Sequence, residues 1–154
     1  MVGLESENAI ADAYLKKYGA LVRELSVYIP YFESKGSKDV AVPYDGKYGE
    51  SSLKFPVFDS TLLSFVKKVS ASPLADRNYA YVYSKYHIRT HEDERNFINK
   101  SGIRDIDALR GIMSKYVLEG MHKAVRWGEA VENRIFYMVL LKLKDLMDFY
   151  QKKA

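Results

Sequence analysis

Asp105-Ile-Asp-Ala-Leu-Arg-Gly-Ile-Met-Ser-Lys-Tyr-Val-Leu-Glu-Gly120 is the stretch on which the fold turns. Ile106, Leu109, Ile112, Met113, Tyr116 and Val117 recur in it at three- and four-residue steps, which places them on one face of a helix. The same step returns downstream in Ile135, Val139, Leu143, Leu146, Met147 and Tyr150. A helical stripe of this width is stable in water only when another surface covers it. Both segments are therefore expected to be core. From residue 135 to 141 the apolar character runs nearly all round, so that helix must be buried on more than one side. It is either the central helix of the domain or half of a dimer interface.

Toward the N-terminus, Tyr14, Tyr18, Leu21, Val22, Leu25, Tyr28, Ile29 and Phe32 keep the helical step. A first helix is predicted from about Glu7 to Tyr28 and toward Phe32. Pro30 has no backbone donor and disfavours helical geometry at Ile29, so a kink or a stop is expected there. From residue 34 to 60 Gly, Ser, Lys, Asp and Pro take over, with Asp45-Gly46 as a turn signal and Pro43 and Pro56 arguing against central strands. This polar insertion is read as an ordered loop or a small β-hairpin, and as the first place to look for a recognition loop, with a simple disordered excursion as an equal alternative. Asp59 or Ser60 can cap a second helix carrying Leu62, Leu63, Val66 and Val69, ending before Pro73. A third helix is predicted from Asp76 to Ile88, although Tyr79, Tyr81 and Tyr83 also alternate as in a strand. Thr90 and Asp93 form a variant capping box for a short helix that Gly102 closes, and Asp105 caps the next in the same way. Gly111 sits inside a periodic run and allows close packing, whereas Gly120 and Gly128 mark breaks around Met121 to Trp127. The expected fold is a single all-α domain over residues 1–154, a bundle of about five to seven helices.

Composition narrows the function classes. A chain of 154 residues buries roughly 68–70% of its unfolded surface and needs no covalent staples. There are no cysteines, which excludes disulfides, thiolate metal sites and cysteine nucleophiles. The sequence contains no run of 18 apolar residues and opens without a basic, apolar leader, so a cytoplasmic location and no membrane role are expected. The net charge of +4 sits in the second half: residues 78–154 carry fourteen basic and ten acidic side chains, residues 1–77 ten of each. Even there the signs are interspersed, which suits a soluble surface better than a nucleic-acid stripe. Thirteen tyrosines are an unusual number, and Tyr serves both core edges and interfaces.

Three short segments carry a resemblance: Tyr28-Ile-Pro-Tyr-Phe-Glu33, Tyr116-Val-Leu-Glu-Gly-Met-His122 and Trp127-Gly-Glu-Ala-Val-Glu-Asn-Arg-Ile135. With them the chain, outside the insertion, resembles a bacterial family of small helical proteins described only as a domain of unknown function. The resemblance implies a helical fold and brings no activity, cofactor or functional residue with it.

The densest chemistry lies in Tyr86-His-Ile-Arg-Thr-His-Glu-Asp-Glu-Arg95. On an unbroken helix His87 and His91 would share a face with Glu94 nearby, a two-histidine-plus-carboxylate metal set. Thr90 as a cap would instead separate the histidines, and the order is not that of a zinc protease motif. His91 or His122 with Glu94, Glu119 or Glu132 are paper candidates for general acid–base catalysis. No serine-nucleophile elbow and no phosphate-binding glycine loop is present, so no catalytic residue and no cofactor is assigned. A nucleic-acid reading would use Lys85, Arg89, Arg95, Lys100, Arg104 and Arg110 on phosphates with Tyr81 or Tyr83 stacking on bases. Trp127, the lone tryptophan, is a hydrophobic plug with its indole N–H bonded at the surface, or else an interface anchor. Tyr81, Tyr83, Arg89, Arg95 and Trp127 together make the candidate interaction surface. The leading expectation is a non-enzymatic accessory protein that binds a protein partner or itself. A nucleic-acid-associated regulator follows, and then a metal-dependent or hydrolase-like enzyme centred on residues 87–95.

Overall fold

The computed structural model describes the backbone of residues 2–35, 41–43, 56–58 and 60–153, and the side chains of residues 7–35 and 60–151. Helix α1 (Val2–Leu25) turns Ala11, Tyr18, Val22 and Leu25 inward, the spacing of one helical face. Past Leu25 the backbone tightens into a 3-10 turn at Ser26–Tyr28 and resumes as the short α2 (Ile29–Glu33). Pro30 stands in the first turn of α2, where a missing N–H leaves no helical bond unmade, so the expected kink is a restart. Ala41–Pro43 (β1) pairs antiparallel with Pro56–Phe58 (β2), Val42 opposite Val57. The rest of the insertion, including Asp45-Gly46 and the cap candidate Asp59, lies outside the described residues.

Helix α3 (Ser60–Ser70) buries Leu62, Phe65, Val66 and Val69. Helix α4 (Tyr79–Lys85) is shorter than the predicted span from 76 to 88. Asp76 does not cap it: its carboxylate accepts from the Asn78 amide at 2.9 Å, closing a turn just ahead of the helix. Helix α5 (His91–Lys100) has the capping box read from the sequence. Thr90 Oγ1 accepts from the Asp93 amide at 3.0 Å, and Asp93 Oδ2 accepts from the Thr90 amide at 3.2 Å. Asp105 differs from its expected role, because its carboxylate bonds back to the Gly102 amide at 2.8 Å and makes no side-chain cap on the next helix.

Helix α6 (Ile106–Gly120) is buried almost all round, Gly111, Ser114 and Gly120 included, and packs against α3, α4, α7 and α8. At Gly111 a Cβ would stand 2.6 Å from Val82 Cγ2, so the absent side chain is what lets α4 lie so close. Helix α7 (Val125–Glu132) contains Gly128 in its interior, buried, and not as the break expected from sequence. Helix α8 (Ile135–Lys153) packs against α1, α2, α5, α6 and α7. Ile135, Phe136, Val139 and Leu140 are buried there, with Tyr137 and Met138 half-covered, so the apolar run is spent within this chain as a central helix. Phe32, Phe65 and Phe136 meet at centroid distances of 4.8, 5.6 and 5.2 Å, joining α2, α3 and α8. Each such ring contributes about 1.5–3 kcal/mol through burial. The chain is thus an all-α bundle around one hydrophobic cluster, with seven longer helices among the described residues and α2 continuing α1 past Pro30. No helix among the described residues is long and apolar enough to cross a membrane.

Candidate functional site

The α4–α6 seam carries two neighbouring clefts, and the first is built over a buried carboxylate. Glu94, in the first turn of α5, is only 2% exposed. Burial of a carboxylate costs several kcal/mol unless hydrogen bonds replace its water. Tyr83 of α4 donates to Glu94 Oε2 at 2.6 Å, Tyr116 of α6 reaches both oxygens at 2.8 and 2.7 Å, and His91 Nδ1 lies 2.9 Å from Oε1. A carboxylate only accepts, so Nδ1 carries a proton toward Glu94, and Nε2 is the ring nitrogen left for another partner. Burial first, and the Glu94 charge second, push the Tyr83 phenol far above its ordinary value. For Tyr116, burial and then its hydrogen bond to Glu94 act in the same direction. Both hydroxyls are therefore donors at every physiological pH. Lys115 Nζ lies over the rings of both, 5.3 and 4.5 Å from the centroids, and its one ion-pair partner among the described residues is Glu119 at 3.9 Å. Ile88, Arg89 and Thr90 complete a cleft of about 430 Å³.

The second cleft, of about 440 Å³, lies between the start of α4, the end of α6 and the start of α7. Arg77, His122, Lys123 and Arg126 line it with Tyr79, Leu118 and a single carboxylate, Glu119. Glu119 is already engaged, by Arg126 Nε at 3.5 Å and by the Tyr79 hydroxyl at 3.3 Å. Arg126 also bonds Glu129 at 2.7 Å, whereas Arg77 and Lys123 have no ion pair among the described residues. Met121 and Val125 flank this cleft in sequence and are 44% and 48% exposed.

The residues singled out from sequence divide among these places. His91 and Glu94 are brought together, but His87 is not with them: α4 ends at Lys85, His87 sits exposed at a left-handed φ of 56°, and Thr90 opens a new helix. The shared helical face proposed for the two histidines is thereby corrected. Among the described residues no group of three or more His, Asp and Glu side chains is placed to hold a metal ion. Tyr81 and Tyr83 do not form one stacking surface, since Tyr81 is 58% exposed while Tyr83 turns in to Glu94. Arg89 is exposed at the first cleft, and Arg95 donates to Asn133 Oδ1 at 3.1 Å. Trp127 is buried, its indole N–H bonded to the Val117 carbonyl at 3.2 Å inside the fold and not at the surface. A Cβ at Gly120 would overlap that indole. Arg110, assigned to phosphates in the nucleic-acid reading, is used internally. It donates to the carbonyls of Pro73 and Leu74 at 2.9 and 3.2 Å and to Asp107 at 2.7 Å, which pins the loop ahead of α4.

Sequence reading missed Tyr116 and Lys115 as cleft residues, because the one reads as a core position and the other as a surface charge. Arg77 and Lys123 carried no signal beyond their charge; only the corner between α6 and α7 brings them to one opening. In comparisons with known proteins, no family model, no curated protein and no solved structure matches this chain.

Proposed function

We propose that the protein is a non-enzymatic interaction module that recognises an acidic segment of a partner protein at the cleft between α4, α6 and α7. The observation that carries this reading is the charge of that cleft: Arg77, Lys123 and Arg126 with His122 face one carboxylate, Glu119, which internal bonds already occupy. Such an excess of one sign attracts and orients an anionic partner. The apolar neighbours Met121 and Val125 favour a protein segment over nucleic acid, because exposed aliphatic side chains suit a partner's Leu or Val, while single-stranded bases select flat aromatic platforms. Binding, not catalysis, fits His122, which has no orienting hydrogen-bond partner of the kind a general base requires among the described residues.

A heteronuclear NMR titration of the full chain with a synthetic Glu- and Leu-rich peptide tests the reading. Shifts centred on Arg77, Lys123 and Arg126, weakened by salt and abolished in the R77E/K123E double variant, are expected. Shifts with a single-stranded oligonucleotide and none with the peptide would hand the surface to nucleic acid.

A further inference from the structure

We infer that the cleft over Glu94 is a second, separate site, which takes a small organic acid with an aromatic or aliphatic body. The charge balance of this cleft gives the reason. The one buried anion, Glu94, is fully engaged from below by Tyr83, Tyr116 and His91. Two cations on the lining are only loosely compensated: Lys115, whose ion pair with Glu119 is 3.9 Å long, and Arg89, which lowers the pKa of Asp93 through its backbone amide first and its charge after but makes no ion pair among the described residues. A ligand carboxylate completes this arrangement, because charge-assisted bonds to ammonium and guanidinium groups are the strong ones. The tyrosine rings and Ile88 supply an apolar wall for the rest of the ligand, and 430 Å³ falls in the size range of small-molecule pockets. His91 adds polar selectivity. Its Nδ1 is held by Glu94, its ring lines the cleft, and Nε2 has no hydrogen-bond partner among the described residues. Nε2 is therefore open to a hydrogen bond with a hydroxyl on the ligand. Glu94 and Tyr116 act as positioning residues that fix the orientation of the ring.

This site does not depend on the acidic-segment reading, since it uses different side chains and a different opening. The test is a heteronuclear NMR titration of the full chain with para-hydroxybenzoate, run in parallel with benzyl alcohol, which lacks the charge, and with inorganic phosphate, which lacks the body. Saturable shifts from Ile88 to Glu94 and around Lys115 with para-hydroxybenzoate are expected, about tenfold weaker in Arg89→Gln and in Lys115→Met. Arg89 is exposed, so its variant keeps the test sound if the Lys115 variant folds poorly. Equal binding of benzyl alcohol or of phosphate would overturn the assignment, as would shifts confined to Arg77 and Lys123 or no saturable shift at all.

Discussion

Both carboxylate oxygens of Glu94 accept from a single hydroxyl, that of Tyr116, at 2.8 and 2.7 Å. The two residues lie on α5 and α6, and with Tyr83 from α4 they tie three helices to one buried charge. The arrangement has no arginine or lysine ion pair to Glu94 among the described residues, so neutral donors and His91 carry the solvation of the carboxylate. Replacing Glu94 by Gln puts an amide donor where hydroxyls already donate. Glu94→Gln is expected to lose about 2–4 kcal/mol in urea denaturation. A change of only a few tenths would mean that the network adds nothing to stability.

Two tyrosines with hydroxyls inside the fold should respond with opposite sign to the same substitution. Tyr83→Phe removes a 2.6 Å bond to a buried carboxylate and should destabilise by about 1–2 kcal/mol. Tyr18 is 1% exposed and its hydroxyl finds no hydrogen-bond partner among the described residues, so Tyr18→Phe removes a desolvated group that makes no bond there. That variant should be neutral or more stable by up to about 1 kcal/mol. Parallel denaturation curves decide it, and a matching loss in both would contradict the difference in bonding.

The two glycines of α6 are expected to resist alanine although alanine is the better helix former by about 1 kcal/mol. At Gly111 the new methyl meets Val82, and at Gly120 it meets the Trp127 indole. Overpacking of this kind costs about 1–3 kcal/mol, enough to reverse the propensity gain. Gly111→Ala should recover when combined with Val82→Ala. Gly120→Ala should in addition shift the fluorescence of Trp127, the one tryptophan in the chain. An unshifted spectrum with full stability would show that the indole has room.

Stability should be lost on the alkaline side. Burial, and then hydrogen bonding to Asp107, raise the Tyr14 phenol to about 12, and burial with Glu94 places Tyr83 and Tyr116 higher still. All three start from 10.0 in the unfolded chain, so between that value and the folded ones the unfolded state has released protons that the folded state holds. Their contribution is complete below about pH 10 and declines as pH rises through the folded values. Urea midpoints measured from neutral pH upward should be level and then fall, with a subset of tyrosines ionising, by ultraviolet absorbance, only as the chain unfolds. A midpoint that rises above about pH 10 would contradict this assignment.

Much of the fold was legible in short-range pattern. The stripes of α6 and α8, an interruption of the first helix near Pro30 and the Thr90–Asp93 capping box each depend on residues within about one or two helical turns, where backbone geometry alone sets which side chains meet. The pairing of His91 with Glu94 belongs here too, as neighbours three apart on α5. The exact ends of α4 were not legible, because Asp76 satisfies a turn in place of a helix.

The rest was decided by how the helices pack. Tyr83 and Tyr116 lie 11 and 22 residues from Glu94 in the chain, and nothing local distinguishes them from the other tyrosines. Arg110 reads as a surface cation until the loop ahead of α4 folds over it, and Trp127, a plug by its sequence position, takes its internal bond to the Val117 carbonyl only because Gly120 opens a slot for its ring. A helical bundle and the buried faces of its helices follow from the sequence alone, since apolar periodicity is a local property. Helix packing settles which charges are paired inside and which, at Arg77, Arg89 and Lys123, face a cleft with no ion pair among the described residues, Lys115 being held only by its 3.9 Å contact with Glu119. That balance depends on distances between elements remote in the chain, and a charge in sequence carries no record of what will stand opposite it.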